Sequence, residues 1–265
     1  MNYPFDIYEY YRLGVQSPDT DAALFKTMYR ELTGQELLTL GEDFCGTFAI
    51  SCEWVKLDPK HKSVGVDLSE EPLEYGRKNY LAALSPDQQS RLQVINSNVL
   101  NPELPKVDCI AALNFSFFIF KTRAELRSYF ENCYRRLPEG GVFICDCFGG
   151  PDSFQSIEEE TEVEGSEDFS VFWDQEWFDP INNLTQYHLH FQPKGDKKYE
   201  RVFSYNWRMW SIPEIREIMI EAGFKKTYVY WEGTEEDGKG DGEFVQIDKT
   251  TEDCDSWIAM IAAQK

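Results

Sequence analysis

Over the first 150 residues of this 265-residue chain, short apolar runs alternate with segments whose apolar residues recur at helical spacing. No other feature constrains the fold as strongly. A strand buried on both faces reads as a continuous apolar run, and a helix lying on a sheet reads as a one-sided stripe. The alternation therefore predicts a mostly parallel sheet layered between helices. Strands are expected at Leu37 to Glu42, Ser63 to Asp67, Leu92 to Ser97, Val107 to Leu113 and Val142 to Phe148. Between them, Phe48, Cys52 and Val55 stripe one helix, and Ser69 opens another that carries Leu73, Tyr80, Leu81 and Leu84. Thr122 with Glu125 has the form of a capping box. Leu126, Tyr129, Phe130, Cys133 and Leu137 follow on one side of that helix, and Pro138 and Gly140-Gly141 stop it.

Beyond Pro151 the pattern changes. An acidic stretch (Glu158, Glu159, Glu160, Glu162) leads into aromatic-rich segments of alternating character as far as Trp210, as antiparallel strands inserted into the α/β unit require. Ser211 and Glu214 repeat the capping box, Ile215, Ile218, Met219 and Ala222 line a helical face, and Gly223 ends it. Lys226 to Trp231 and Ser256 to Ala262 read as two last strands, separated by a glycine-rich acidic loop from Gly233 to about Glu243. The expected fold class is α/β: a doubly wound, mostly parallel seven-stranded sheet with helices on both faces and an inserted antiparallel β subdomain. Residues 1–35 read as a helical lid and 36–150 as a cofactor-binding core. Residues 151–210 read as the insertion, for acceptor binding or subunit contact, and 211–265 as the elements completing the sheet.

Charge narrows the choice of partner. With 47 acidic against 26 basic residues the net charge is −21, which repels phosphate backbones and makes nucleic acid an unexpected ligand. No apolar run approaches the ~18 residues of a membrane span, and Met1-Asn2-Tyr3-Pro4-Phe5-Asp6 lacks the basic start and apolar stretch of a secretory signal. A cytoplasmic monomer or homodimer that does not bind membranes is expected. The seven cysteines are odd in number, form no Cys-x-x-Cys pair and sit mostly in apolar runs, as reduced buried thiols do. His188 and His190 share a strand face but have no third ligand at convincing spacing, so no metal is expected. The run Asp237 to Gly242 superficially suggests a calcium loop, but Lys239 at the third ligand position and Asp248 at the twelfth favour a solvated loop.

The first predicted strand passes through Glu42-Asp43-Phe44-Cys45-Gly46-Thr47 into a helix, and the second ends in Asp67, about 20 residues beyond Gly46. In a doubly wound sheet a ligand lies across the carboxyl ends of the strands. A glycine at the first turn lets the backbone approach it, and an acid ending the second strand accepts from ribose hydroxyls. A phosphate-binding Gly-x-Gly-x-x-Gly loop is missing, and Glu42 and Asp43 would repel a pyrophosphate. These acids suit a ligand with an ammonium group.

Here the sequence resembles the class I, Rossmann-like S-adenosylmethionine-dependent methyltransferase superfamily over nearly its whole length. Glu42 to Phe48 looks like a variant of its first motif and Gly65-Val66-Asp67-Leu68 like its second. Asn96 to Leu100 is similar to the segment touching adenine, with Asn98 where Asp is more usual. Ala112 to Ser116 resembles the segment after strand four, and Leu137 to Phe143 the turn entering strand five. Phe44 and Phe48 depart from the family's glycines. The resemblance implies Glu42 near the cofactor's amino group, Gly46 giving close approach with Phe44 and Cys45 beside it, and Asp67 on the ribose. It further implies Leu68 against adenine, Asn98 on the adenine amino group with Val99 alongside, and Asn114 and Phe115 near the methionine part.

Methyl transfer from a sulfonium needs alignment and exclusion of water more than a catalytic triad. Asn114 is the polar candidate beside the reaction, and Tyr11 and Gln16 are candidates to close over it. Trp177 and Trp207 are candidate walls of a pocket for a small-molecule acceptor, an amine by preference. Two other readings stay open: an NAD(P)-dependent oxidoreductase, disfavoured by the missing glycines, and a non-catalytic S-adenosylmethionine-binding or scaffold protein, which Phe44 and Phe48 keep in play.

Overall fold

Strands buried along nearly their whole length form the centre of the protein. The computed structural model describes residues 3–163, 165, 168–234, 240–250 and 254–265. Two helices, α1 (Ile7–Val15) and α2 (Pro18–Thr33), precede the first parallel strand β1 (Thr39–Asp43). Then follow α3 (Ala49–Leu57), β2 (Lys62–Asp67), α4 (Glu70–Asn79), α5 (Pro86–Ser90), β3 (Leu92–Asn96), β4 (Cys109–Ala112), α6 (Arg123–Arg136) and β5 (Val142–Gly149). The insertion is β6 (Ile157–Val163), β7 (Phe169–Asp179), β8 (Leu184–Pro193) and β9 (Tyr199–Arg208), after which come α7 (Ile212–Glu221), β10 (Lys226–Thr234), β11 (Gly240–Ile247) and β12 (Trp257–Gln264).

The main sheet has the order β11-β10-β12-β5-β4-β1-β2-β3, with β1 to β5 parallel and the last three strands antiparallel. Its order reverses between β1 and β4, which opens a crevice at their carboxyl ends. Residues of α2, α3 and α4 (Phe25, Trp54, Leu73) bury one face, and residues of α6 and α7 (Phe130, Ile218) bury the other. Both capping boxes form as expected: Thr122 and Glu125 close the start of α6, and Ser211 and Glu214 that of α7.

The sheet has eight strands, not seven. Half of the segment expected as a loop is strand, since β11 pairs with β10 from Gly240 onward. This edge strand is largely exposed, so burial does not demand the apolar alternation by which a strand is recognised. Residues 235–239, with Asp237 and Lys239 of the loop compared to a calcium site, lie outside the described residues. The helix after Ser69 is also shorter than its stripe implied. It ends at Asn79, and Leu81 lies in a 3-10 turn before α5 restarts at Ser85-Pro86 with its own capping box. Packing of Leu84 against the core persists without the helix.

The insertion folds as a four-stranded antiparallel sheet, β6-β7-β8-β9. One face carries Trp173, Tyr187, Tyr205 and Trp207, which pack on Phe115, Phe118 and Phe148 at the ends of β4 and β5. Helix α1 ties this sheet to the core. Tyr10 stacks on Phe169 at 4.0 Å, while the Tyr75 hydroxyl of α4 donates to Asp6 (2.8 Å) and that of Tyr80 to Glu9 (3.3 Å).

Candidate functional site

The turn from β1 into α3 contains three left-handed residues, Phe44 (φ 57°), Gly46 (φ 51°) and Phe48 (φ 50°). Such a backbone costs an L-residue with a Cβ roughly 1 kcal/mol or more. Ring burial offsets that cost: Phe48 is fully buried, and Phe44 packs edge-on to Tyr129 at 5.4 Å. Both rings point into the protein, so the turn retains the backbone shape that glycines would allow. Gly46 faces outward, and a Cβ built on it would meet nothing within 4 Å. Its N–H donates to one oxygen of Asp67, and that of Ser69 to the other, both at 2.8 Å. Each oxygen keeps a further lone-pair direction.

Around this shelf the expected residues differ in what they present. Leu68 is 69% exposed beside Asp67. The Asn98 carbonyl accepts from the Leu100 N–H (2.8 Å), so half of its amide is engaged in its own turn. Val99 and Cys45 are buried. The sequence pairs the two acids of the turn toward one ammonium group; the structure instead separates them. Asp43 points under the sheet, where both its oxygens accept from Arg136 Nη1 at 2.8 Å and one also accepts from the Tyr129 hydroxyl. Its charge is matched internally, and the pair is structural. Glu42 accepts from the N–H and hydroxyl of Ser51, and burial pushes its carboxyl up to about 8.

Next to the shelf, a cavity of about 710 Å³ opens over the ends of β4 and β5. Its floor carries Asn114, Phe115 and Asp146, the inserted sheet supplies Trp173, Tyr205 and Trp207, and α1 and α2 supply Tyr11 and Asp21. Asn114 and Phe115 are both left-handed, at φ 56° and 55°. This turn is held by Asp146, whose two oxygens accept from the Asn114 and Phe115 N–H groups at 2.8 and 2.9 Å. Asp146 is only 7% exposed, and burial raises its carboxyl to about 7; Asp21 is raised to about 7 for the same reason, with Asp19 adding repulsion.

Of the sequence-derived candidates, Tyr11, Asn114, Phe115 and Trp207 line the cavity. Gly46, Asp67, Leu68 and Asn98 lie on the shelf at the ends of β1, β2 and β3. Trp177 lies past a register shift in β7, is 39% exposed and is not on the cavity wall. That shift breaks the period-two alternation and turns Trp177 outward, leaving Trp173 as the wall residue. Gln16 is not a wall residue either, although its Oε1 is buried and has no hydrogen-bond partner among the described residues. Asp146 and Asp21 were missed. A carboxylate inside the apolar run Val142 to Phe148 is a signal for the first; nothing local marks the second.

The histidines belong elsewhere. On the outer face of the inserted sheet, His190, Asp174 and Glu158 lie within 4.8 Å of one another. His190 Nδ1 accepts from the Arg201 N–H (2.7 Å), which leaves the proton on Nε2, where it donates to Asp174 (3.2 Å). A protonated Nε2 has no lone pair for a metal.

By sequence, no family model and no curated protein matches the chain. By structure, the fold is that of the class I S-adenosylmethionine-dependent methyltransferases. Among solved structures, that of S-adenosylmethionine-bound CalS10, an amino pentose methyltransferase from Micromonospora echinaspora, superposes with a TM-score of 0.70 at 17% identity over 100% of this chain and 99% of its own. Streptomyces venezuelae DesVI gives 0.70 at 17% identity, covering 97% and 99% of the two chains. The sugar N-methyltransferase KedS8 from Streptoalloteichus sp. gives 0.66 at 15% identity, covering 100% and 95%.

Proposed function

We propose that this protein is an S-adenosylmethionine-dependent methyltransferase acting on a small molecule. The observation that carries this reading is the junction of two spaces: an open shelf at Gly46 and Asp67, and an aromatic-walled cavity beginning at Asn114. A nucleoside on the shelf would place its sulfonium toward the cavity, where aromatic walls would hold the acceptor. The shelf residues fit such a ligand. Asp67 has lone pairs left for ribose hydroxyls, Leu68 offers an exposed apolar side chain to adenine, and Asn98 retains its amide nitrogen. Glu42, with Phe44 and Cys45 beside Gly46, is assigned to the amino-acid end, and Val99 supports the adenine segment from within the core. When bound, S-adenosylmethionine supplies an electrophilic methyl group; the chain's task is to align, desolvate and manage protons. Residues 1–35 serve as the lid, with Tyr11 reaching the cavity, and residues 151–210 as the acceptor-binding unit.

Fold likeness supports this reading, since CalS10, an amino pentose methyltransferase, and KedS8, a sugar N-methyltransferase, superpose over the whole of this chain. NAD is disfavoured because no basic group or glycine-rich loop stands at the turn to take a pyrophosphate. The test is calorimetric titration with S-adenosylhomocysteine and with NAD. Saturable binding of the first alone is expected, and binding of NAD alone would refute the reading. Methyl transfer to a pool of small-molecule acceptors then separates an enzyme from a silent binding protein.

A further inference from the structure

The cavity wall is chemically one-sided. Five carboxylic acids line it, Asp21, Asp146, Asp152, Glu159 and Glu232, and among the described residues no lysine, arginine or histidine does. They come from different elements: α2, β5, the turn after β5, β6 and β10. The other titratable wall groups are the hydroxyls of Tyr11 and Tyr205 and the thiol of Cys254. Neither Asp21 nor Asp146 has an ion-pair partner among the described residues, in contrast with Asp43 beside Arg136. Removing a carboxyl from water without a counter-charge is costly. Here the cost is borne at two positions facing the same space, and the surrounding wall is aromatic rather than basic.

We propose that the acceptor enters this cavity as an ammonium ion and that Asp146 takes its proton. The inference rests on the methyltransferase reading above and adds to it the charge of the substrate and the identity of the proton acceptor. An ammonium nitrogen has no lone pair. Transfer of one N–H proton to an Asp146 oxygen frees an electron pair on nitrogen. The N–C bond then forms as the C–S bond breaks and its pair returns to sulfur, and the methylated product keeps a positive charge on nitrogen. Asp146 passes its proton to solvent when the product leaves. Two features suit it to this role: each oxygen accepts one N–H of the 114–115 turn and has lone pairs beyond that bond, and its burial holds the carboxyl near the pH at which a proton is readily exchanged. Asp21 supplies a second negative charge that holds the cation. Trp173, Tyr205 and Trp207 line the same space, and a cation packed on an aromatic face gains attraction without a formal counter-charge.

The probes are benzylammonium chloride and its neutral isostere benzyl alcohol, titrated into the full chain with and without S-adenosylhomocysteine and followed by tryptophan fluorescence. At pH 8 the ammonium should bind at least ~10-fold more tightly than the alcohol, with the ratio falling toward one in Asp146→Asn. Asp146→Asn also disturbs the turn it holds, so Asp21→Asn, which leaves that turn intact, is the second variant and should lower the ratio too. A merely structural Asp146 would weaken both probes equally. Calorimetry at pH 6 in two buffers of different ionisation enthalpy should show proton release on ammonium binding. It should be absent at pH 9 and reduced in Asp146→Asn, because a cation draws the proton off a carboxyl that titrates near neutrality. Equal affinity for the two probes, binding of neither, or a ratio unchanged in both variants would overturn the proposal. Failure to bind S-adenosylhomocysteine would instead strike the methyltransferase reading, and the cation preference would still be read from the arm without it.

Discussion

Two aspartates in one sheet illustrate how a single residue type is put to opposite use. Asp43 is neutralised by Arg136 and hydrogen-bonded by Tyr129 beneath the strands, whereas the Asp67 side chain stands at the open end of β2, engaged among the described residues only by backbone N–H groups. Asp67→Ala is expected to weaken S-adenosylhomocysteine binding by about 1–3 kcal/mol, the scale of charge-assisted hydrogen bonds left unmade, in an isothermal titration. Unchanged affinity would remove Asp67 from the ligand. Gly46 and Asp67 were legible in the sequence because each ends or follows an apolar strand at a set distance. Asn98 was legible as a position but not as a partner, since whether its amide caps Leu100 or meets a ligand is decided by local geometry.

At the scale of elements, α1 is the part of the proposed lid whose packing can be challenged without touching the cavity floor. Gly14 lies so close to β7 that an added methyl would overlap Val171 Cγ2. Gly14→Ala should therefore lift α1 from Phe169 and Val171 at a cost of about 1–3 kcal/mol. It should show as faster amide exchange across residues 7–15 and as weaker binding of any cavity ligand. Protection equal to the parent protein would mean that α1 is not seated through this contact. The helices themselves were readable from caps and stripes. The seat of α1 was not, because Tyr10, Phe169 and Phe191 are brought together only when the inserted sheet folds back over the amino terminus.

The whole molecule carries a predictable response to pH. Burial raises Asp21 and Asp146 to about 7 and Glu42 to about 8, against about 4 for carboxyls in an unfolded chain. Between these limits the folded state binds more protons than the unfolded one. These groups therefore contribute stability that is complete below about pH 4 and is lost as pH rises through 7 to 8. The melting temperature at constant ionic strength should fall from pH 6 to pH 9, with a shallower fall in Asp146→Asn. A rise over that range, or a slope identical in the variant, would contradict it. The sheet makes a second demand on the whole chain: β12 pairs with β5 from Gly149 to Val142. A 1–150 fragment leaves that strand as a bare apolar edge, so it should show no cooperative thermal transition. A sharp melt of a monomeric fragment would show that residues 211–265 are dispensable.

What the sequence determined by itself was whatever neighbours along the chain decide. Thr122 with Glu125 and Ser211 with Glu214 cap helices across three residues. The apolar runs of β1 to β5 declare double-sided burial, and the turn after β1 declares a close approach. The eighth strand, the outward turn of Trp177 and the acid lining of the cavity were left to tertiary structure. Asp21, Asp146, Glu159 and Glu232 lie far apart in sequence and line one space only after four elements pack around it. The free energy of their burial depends on which charges face them, and that is a property of long-range packing which no local pattern encodes.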